Sequence, residues 1–191
     1  MDVKTALLER RTIRKFTQQP IPKQDLVDLI EYARLAAYPG NNQSLKFAII
    51  DQKPLVDAVF THTRWAGYLA DGTPKENERP TAFIAIIGDK KINKTFEIES
   101  GSAITSMMLG AFEKGIASCW IGSFNKPEVA KILNLNEEDY AVVYVLALGY
   151  PAQQSRACEM TDGNIKYFLD DENILNVPKR SLDDILIDIN R

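Results

Sequence analysis

The sequence is poor in the residues that build metal sites and disulfide frameworks. Among 191 residues it has two cysteines, Cys119 and Cys158, and one histidine, His62. The cysteines have no CxxC spacing, which argues against a disulfide framework or a zinc site. His62 belongs to no Ser-His-Asp or Cys-His signature, so the sequence indicates no side-chain nucleophile and no metal. Any redox role of the two cysteines stays open.

Positive charge and long apolar runs are also scarce. The chain has 23 Lys and Arg against 26 Asp and Glu, a formal net charge of -3, whereas nucleic-acid binders usually carry an excess of positive charge. The longest apolar run, residues 141–148, is far below the roughly 18 residues of a membrane span. The charged amino terminus lacks the apolar stretch of a secretory signal. We therefore expect a cytoplasmic protein whose partners include neither nucleic acid nor membrane.

Length and motifs bound the domain organisation. A chain of 191 residues, 45% of them hydrophobic, fits one domain over residues 1–191 with an ordinary core. The sequence has no GxGxxG after a strand and no GxxxxGK[ST]. It therefore signals neither a dinucleotide fold nor a nucleotide-phosphate loop.

Hydrophobic periodicity predicts helices that surround a few short strands. Residues 62–80 show no period and are interpreted as a long ordered loop or lid. Ser181 and Asp184 have the spacing of a capping box, which predicts a last helix. Such a pattern is typical of an α+β or three-layer fold. Helices are predicted at 2–9, 22–37, about 55–60, 94–114 (ended by Gly115) and 127–133, and strands at 46–51, 82–88, 116–121 and 141–148.

Two basic segments are candidates for binding a phosphate. If residues 10–15 are extended, alternation places Arg10, Thr12 and Arg14 on one face, where two guanidinium groups and a hydroxyl suit a phosphate. The alternative is a solvated basic turn. Lys179 and Arg180 precede the last helix and could complete such a site, although they also suit a solvated helix lead-in.

Two further segments are candidates for binding a flat ligand. Residues 38–44 offer side-chain amides and free backbone N–H groups, which a heteroaromatic ring with carbonyl and nitrogen atoms requires. The alternative is a helix stop and turn. Residues 115–124 form a strand that ends in Gly122 and Ser123, where backbone N–H groups can approach a ring. The alternative is a buried strand with an aromatic plug.

The helix predicted near residues 98–114 carries a stripe of small residues, Ala103, Ser106 and Gly110. Small residues allow another backbone to approach closely, so this helix is a hypothesis for the centre of a dimer. The alternative is that the stripe belongs to the core of one chain.

In their order and spacing, these segments resemble the FMN-dependent nitroreductase family over nearly the whole chain. The segment Arg-Arg-Thr-Ile-Arg-Lys-Phe at residues 10–16 is similar to the opening phosphate motif of the family. The helix at 25–37, followed by Gly-Asn-Asn-Gln and Lys46-Phe47, is similar to its second motif. Residues 115–124, 127–135 and 145–151 are similar to its most recognisable block, and residues 178–182 to its closing motif.

The resemblance implies a nitroreductase-like three-layer α+β fold, with a central, mainly antiparallel sheet flanked by helices. It also implies an intertwined homodimer that holds two FMN molecules in clefts between the subunits. Arg10, Thr12, Arg14, Lys179 and Arg180 would hold the phosphate, and Tyr38 and Pro39 would come from the partner. The full set of residues assigned to the cofactor is Arg10, Arg11, Thr12, Arg14, Tyr38, Pro39, Asn41, Gln43, Trp120, Ile121, Gly122, Ser123, Lys179 and Arg180, of which Asn41, Gln43 and residues 121–123 would line the isoalloxazine ring.

The sequence departs from the family pattern beside the ring. Tyr38-Pro39 stands where the family often has Pro-Ser, and Ser44-Leu45 stands where it often has Pro-Trp. Trp65 lies in the loop that matches no family motif. We interpret it as a packed loop residue, with stacking near the flavin as the alternative.

The function implied by the resemblance is electron transfer from NAD(P)H, through flavin N5, to a small acceptor such as a nitroaromatic or a quinone. The mechanism would be ping-pong, and the flavin would carry the chemistry without a catalytic side chain. One alternative is a flavin-binding protein of the same fold without nicotinamide turnover, such as a sensor or a flavin-consuming enzyme. Another is a module that binds a different phosphate or a protein partner. No motif distinguishes NADH from NADPH or specifies the acceptor.

Overall fold

The computed structural model describes residues 2–188, so Met1 and residues 189–191 of the predicted domain lie outside the described residues. Each predicted helix and strand is present, with ends displaced by at most three residues. The helices are α1 (Val3–Glu9), α2 (Lys23–Arg34), α3 (Lys53–Thr61), α4 (Glu97–Glu113), α5 (Lys126–Ile132) and α6 (Leu182–Ile185). The strands are β1 (Leu45–Ile50), β2 (Ala82–Asp89), β3 (Ala117–Ile121), β4 (Tyr140–Gly149), β5 (Ser155–Glu159), β6 (Phe168–Leu169) and β7 (Leu175–Lys179).

The main sheet has the strand order β1-β2-β4-β3, and each neighbouring pair is antiparallel. β2 is buried along its whole length, as its uninterrupted apolar sequence predicts for a central strand covered on both faces. Successive side chains of a strand point to opposite faces. Phe83 and Ala85 therefore join one hydrophobic cluster, whereas Ile84 and Ile86 join the other.

Helices cover both faces of this sheet. α2 and α4 supply Leu26, Leu29 and Met107 to the cluster on one face, and α3 and α5 supply Phe60 and Val129 to the cluster on the other. The result is three layers, helix, sheet and helix. The predicted α+β architecture with a central, mainly antiparallel sheet is confirmed.

The amino-terminal basic segment lies along the open edge of β3. Thr12 forms a parallel bridge with Ser118, and the Ile13 N–H donates to the Ser118 carbonyl at 3.1 Å. Phe16 is fully buried and lies so close to Gly149 that a Cβ there would be 2.8 Å from the Phe16 ring. The extended conformation assumed for residues 10–15 is thereby held in place by the sheet and its core.

The small residues of α4 pack within the chain. Ala103 is fully buried in the core, and a Cβ on Gly110 would be 2.3 Å from the Tyr32 ring of α2. These contacts favour the alternative that the stripe belongs to the core of one chain. The opposite side of α4 carries exposed Ile98 and Thr105.

A second sheet was not predicted. It has the order β5-β7-β6, with β5 and β7 parallel and β6 and β7 antiparallel. β5 and β6 are short and largely exposed. β7 begins with buried Leu175 and Asn176, and Pro178 interrupts its sequence pattern. Because long-range pairing and not local periodicity stabilises them, the sequence carried little signal for these strands.

Two predicted helix ends are confirmed in detail. α4 ends before Gly115, whose φ of 72° is left-handed as expected. The Ser181 hydroxyl accepts from the Asp184 N–H while the Asp184 carboxylate accepts from the Ser181 N–H, which completes the predicted capping box. In the part of the chain that the structure describes, no helix is long and apolar enough to cross a membrane.

Candidate functional site

A cavity of about 380 Å³ lies between the amino-terminal segment and the start of β3. α1 ends at Glu9, and the Arg10 N–H donates to the Ala6 carbonyl at 3.0 Å, so the two arginines that follow are placed at the mouth of the cavity. The lining is formed by Glu9, Arg10, Arg11, Ile13, Phe112, residues 115–118, Pro151 and residues 153–155.

The guanidinium groups of Arg10 and Arg11 are only partly satisfied. Arg11 donates to the carbonyl oxygens of Leu8 and Arg10. Arg10 Nη1 and Arg11 Nε are buried and have no hydrogen-bond partner among residues 2–188. Burial and, secondly, the charge of Arg11 lower the Arg10 pKa. Buried cationic donors without partners are costly, so this arrangement favours the binding of an anion.

Thr12 and Arg14 occupy other positions on the same segment. Thr12 pairs with Ser118, and the Arg14 N–H donates to Gln153 Oε1 at 3.3 Å. The Arg14 guanidinium lies 4.4 Å from the centroid of the Tyr167 ring. Its Nη1 is also buried without a hydrogen-bond partner in the described chain. Arg10 and Arg11 thus line the cavity, whereas Thr12 and Arg14 flank it. The donor set fits a phosphate group, because guanidinium groups bind phosphate oxygens in planar, charge-assisted pairs.

Cys119 lies in the core beneath this segment. It is free and buried, and burial raises the pKa of its thiol to about 11, although the nearby Arg14 charge acts in the opposite direction. The thiol is therefore protonated at neutral pH, and a buried protonated thiol is a poor nucleophile.

The loop that follows α2 presents its amides to solvent. Pro39–Asn41 form a 3-10 turn, and Gly40, Asn41 and Gln43 have φ values of 60°, 54° and 53°. Glycine and asparagine tolerate this left-handed region, whereas glutamine adopts it at a cost. The side chains of Asn41 and Gln43 are exposed. They are available to a ligand because the backbone turns them outward.

The other predicted ring-lining segment lies at the end of β3. Ile121 is buried, whereas Gly122 and Ser123 are exposed. Trp120 is 37% exposed and packs edge-on against Tyr144, with ring centroids 5.1 Å apart. A bulky indole therefore covers the strand just before the exposed Gly-Ser tip.

The predicted ring-lining segments do not meet within one chain. β1, which follows Asn41 and Gln43, and β3, which precedes Gly122, form opposite edges of the main sheet. Three interstrand spacings separate them, which amounts to roughly 14 Å. A ligand that contacts both segments must therefore sit between two copies of the chain or span that distance.

Lys179 and Arg180 also lie apart from the arginine cavity. β5 and β7 are parallel, with Ser155 opposite Leu175 and Glu159 opposite Lys179. Ser155 lines the cavity, and Glu159, the residue opposite Lys179, lies four residues further along β5, about 13 Å from Ser155. Neither Lys179 nor Arg180 is among the residues that line the arginine cavity of the described chain.

Two residues beside Arg14, Gln153 and Tyr167, are functional candidates that lacked a sequence signal. Gln153 contacts the Arg14 backbone, and Tyr167 covers the Arg14 guanidinium, but neither residue belongs to a motif.

Trp65 is 8% exposed, packs on Phe60 with ring centroids 5.6 Å apart, and donates from its indole N–H to Thr63 Oγ1 at 2.8 Å. Trp65 is thus the packed loop residue that we predicted.

Comparison with known proteins identifies the family. The family model described as Nitroreductase family matches residues 7–150, and the chain belongs to this family. A protein from Archaeoglobus fulgidus with the provisional name NADH dehydrogenase/NAD(P)H nitroreductase is 26% identical over 160 residues, which is 80% of this chain and 87% of that protein.

Solved structures show the same fold. A structure from Desulfovibrio desulfuricans, provisionally named a nitroreductase and solved in complex with FMN, is 22% identical with a TM-score of 0.71, and the match covers 98% of this chain and 96% of the other. An FMN-dependent nitroreductase from Clostridium difficile is also 22% identical, with a TM-score of 0.67, over 84% of this chain and 92% of the other.

Proposed function

We propose that this chain is an FMN-dependent oxidoreductase that transfers electrons from NAD(P)H to a small acceptor such as a nitroaromatic or a quinone. Membership of the nitroreductase family supports the class of reaction. The observation that carries the cofactor assignment is the set of buried guanidinium nitrogens on Arg10, Arg11 and Arg14 without hydrogen-bond partners within residues 2–188. These donors match the dianionic phosphate of FMN in charge and in hydrogen-bonding capacity.

The amino-terminal segment would hold the phosphate. Its backbone is fixed by pairing with β3 and by the buried Phe16, so its arginines need little reorganisation on binding. Preorganised donors retain more of their interaction energy because less conformational entropy is lost. Lys179 and Arg180 are proposed as additional phosphate contacts that reach a site shared with a second copy.

The exposed loop at residues 38–43 and the Gly122-Ser123 tip would orient the ring. When bound, FMN supplies hydride and electron transfer at its ring system. The amides of Asn41 and Gln43 would donate to ring acceptors, and Gly122 would allow close approach of the backbone. Because these segments lie at opposite edges of one sheet, we propose a homodimer with the cofactor between the subunits.

The donor and the acceptor would enter one open cleft in turn, so we expect ping-pong kinetics. Bleaching of the flavin absorbance by NADH or NADPH, followed by reoxidation with a quinone, would support turnover. A yellow protein that oxidises neither nicotinamide would instead be a flavin-binding protein without reductase turnover.

The phosphate assignment is tested with the double variant Arg10→Ala/Arg14→Ala. Hydrogen bonds to charged groups contribute roughly 1.5 to 3 kcal/mol each, so each substitution should weaken FMN binding by about tenfold or more. The FMN content of the purified protein, measured by absorbance, should fall sharply.

A matched control removes the same charge elsewhere. Arg34 and Lys131 form exposed ion pairs with Glu31 and Glu128, and Arg34→Ala/Lys131→Ala should retain full FMN content. If Arg10→Ala/Arg14→Ala purifies as yellow as this control, the phosphate assignment is wrong.

A further inference from the structure

Glu99 is a buried carboxylate for which the proposed reaction has no direct use. It lies in the first turn of α4 and is 3% exposed. Its Oε2 accepts from the Ser44 N–H at 2.9 Å and from the Ser44 hydroxyl at 2.7 Å. Ser44 is itself fully buried. The two residues therefore form a closed polar contact between α4 and the start of β1.

Buried polar atoms in proteins usually have hydrogen-bond partners, but two polar atoms at this contact have none in the described chain. Glu99 Oε1 and the neighbouring Ser100 Oγ are buried without a hydrogen-bond partner among residues 2–188. A buried carboxylate is costly unless it is well paired. An apolar residue at position 99 would avoid this cost, so a carboxylate here requires a reason beyond the stability of the core.

The loop next to Ser44 supplies such a reason. Gly40, Asn41 and Gln43 precede it and have left-handed φ values, which Gln43 adopts at a cost. Residues in sparsely populated backbone regions persist only where the surroundings impose them. Glu99 binds both the backbone and the side chain of Ser44, so it fixes the exit of the loop in position and in direction.

The entrance of the loop is fixed separately. The Tyr38 hydroxyl donates to the Ala33 carbonyl of α2 at 2.5 Å. Burial and, secondly, the charge of Glu99 raise the Tyr38 pKa, which keeps this hydroxyl protonated and able to donate. The strained loop is thus held between an anchor on α2 and an anchor on α4.

The anchor on α4 depends on the residue type at position 44. This chain has a serine, Ser44, at the exit of the loop. Proline has neither a backbone N–H nor a hydroxyl, so it would leave Glu99 Oε2 without both of its donors. Serine and the buried carboxylate form a matched pair.

We propose that the Ser44–Glu99 pair is a positioning device that sets the geometry in which Asn41 and Gln43 meet the flavin ring. This proposal rests on the proposed function only for the identity of the ligand. The anchoring of the loop itself is a property of the protein without ligand, and each part has its own measurement.

The test compares three variants, Ser44→Ala, Glu99→Gln and the double variant Ser44→Ala/Glu99→Gln. Glu97→Gln is the control. Glu97 lies in the same helical turn but is exposed, which makes it a matched control. In protein freed of FMN, we expect hydrogen exchange of the amides of residues 40–44 to be roughly tenfold faster in Ser44→Ala and Glu99→Gln than in the control. We expect the Kd for FMN to rise roughly tenfold in Glu99→Gln, because the amide oxygen accepts from Ser44 without the charge that strengthens these bonds, with an altered visible band of the bound flavin.

The double variant measures the coupling between the two residues. If both substitutions break the same contact, the Kd of the double variant should match that of Glu99→Gln alone and should not be the product of the two single effects. Equal FMN affinity and an unchanged flavin band in Glu99→Gln and Glu97→Gln would overturn the positioning role, even if the protein became less stable.

The proposed function can fail independently. Wild-type protein that binds no FMN would refute the cofactor while the exchange of residues 40–44 still tests the anchor. Unchanged exchange in Ser44→Ala and Glu99→Gln would refute the anchor whether or not FMN binds.

Discussion

Two glycines on α4 differ in the space around them. A Cβ on Gly110 would be 2.3 Å from the Tyr32 ring, whereas a Cβ on Gly101 would make an ordinary van der Waals contact, 3.9 Å from an atom of the Trp120 ring. Both positions are helical, so the difference between them is one of packing and not of backbone conformation.

We predict opposite effects of alanine at these two positions. Gly110→Ala should lower the free energy of unfolding by about 1 to 3 kcal/mol, because the Tyr32 ring must move out of a packed interface. Gly101→Ala should be neutral or stabilise the protein by up to about 1 kcal/mol, because alanine favours the helix. Denaturant unfolding at neutral pH measures both. Equal changes in the two variants would show that the contact between Gly110 and Tyr32 does not constrain packing.

At the scale of the element, α4 and α5 end in the same motif with different residues. After α4, the Ile116 N–H donates to Ala111 O and the Gly115 N–H to Phe112 O. After α5, the Leu135 N–H donates to Ala130 O and the Asn134 N–H to Lys131 O. This pair of bonds defines a Schellman motif, which requires a left-handed residue.

Substitutions at the two helix ends should therefore have opposite signs. Gly115→Ala should destabilise the protein by about 1 kcal/mol, because a Cβ is unfavourable at its φ of 72°. Asn134→Gly, at a φ of 51°, should be neutral or stabilise by a few tenths of a kcal/mol. Thermal unfolding of both variants measures the effects. A stabilised Gly115→Ala would contradict the role of the left-handed cap.

At the scale of the whole molecule, both ends of the chain carry exposed apolar side chains. Val3 and Leu8 of α1 are 72% and 61% exposed, and Leu186 and Ile187 after α6 are 64% and 84% exposed. Exposed apolar groups mark an interaction surface where they form one contiguous patch. They are consistent with the proposed homodimer, in which the segments at opposite edges of the sheet could share one ligand.

We predict a light-scattering mass of about twice the 21.5 kDa of one chain at micromolar concentration. Leu186→Asp/Ile187→Asp should shift the protein toward the monomer, because burial of two carboxylates at an interface is costly. The exposed substitution Glu97→Gln should leave the mass unchanged. A wild-type mass close to that of one chain would refute the dimer.

Much of the fold follows from local pattern. The apolar run of β2 and the periodicity of α2 and α4 predict elements that the structure contains, because each buries a continuous face. The second sheet escaped prediction because β5 and β6 are exposed and because β5 pairs with β7, in which Leu175 lies 20 residues after its partner Ser155. The candidate site was also predictable only in part. The arginines form a motif in the sequence, but only the structure shows that some of their buried nitrogen atoms have no hydrogen-bond partner among residues 2–188.

The amino-acid sequence by itself determined the class of fold, the family and the residue types that can bind a phosphate, since these depend on periodicity and on chemical groups in a fixed order. Only the tertiary structure decided that Arg10 and Arg11 share a cavity, that Lys179 lies at the far end of another sheet, and that Glu99 binds Ser44. Those relations depend on which strands pair and which helices pack together. Local composition does not encode such contacts, because the free energy that selects them comes from burial and pairing between distant segments.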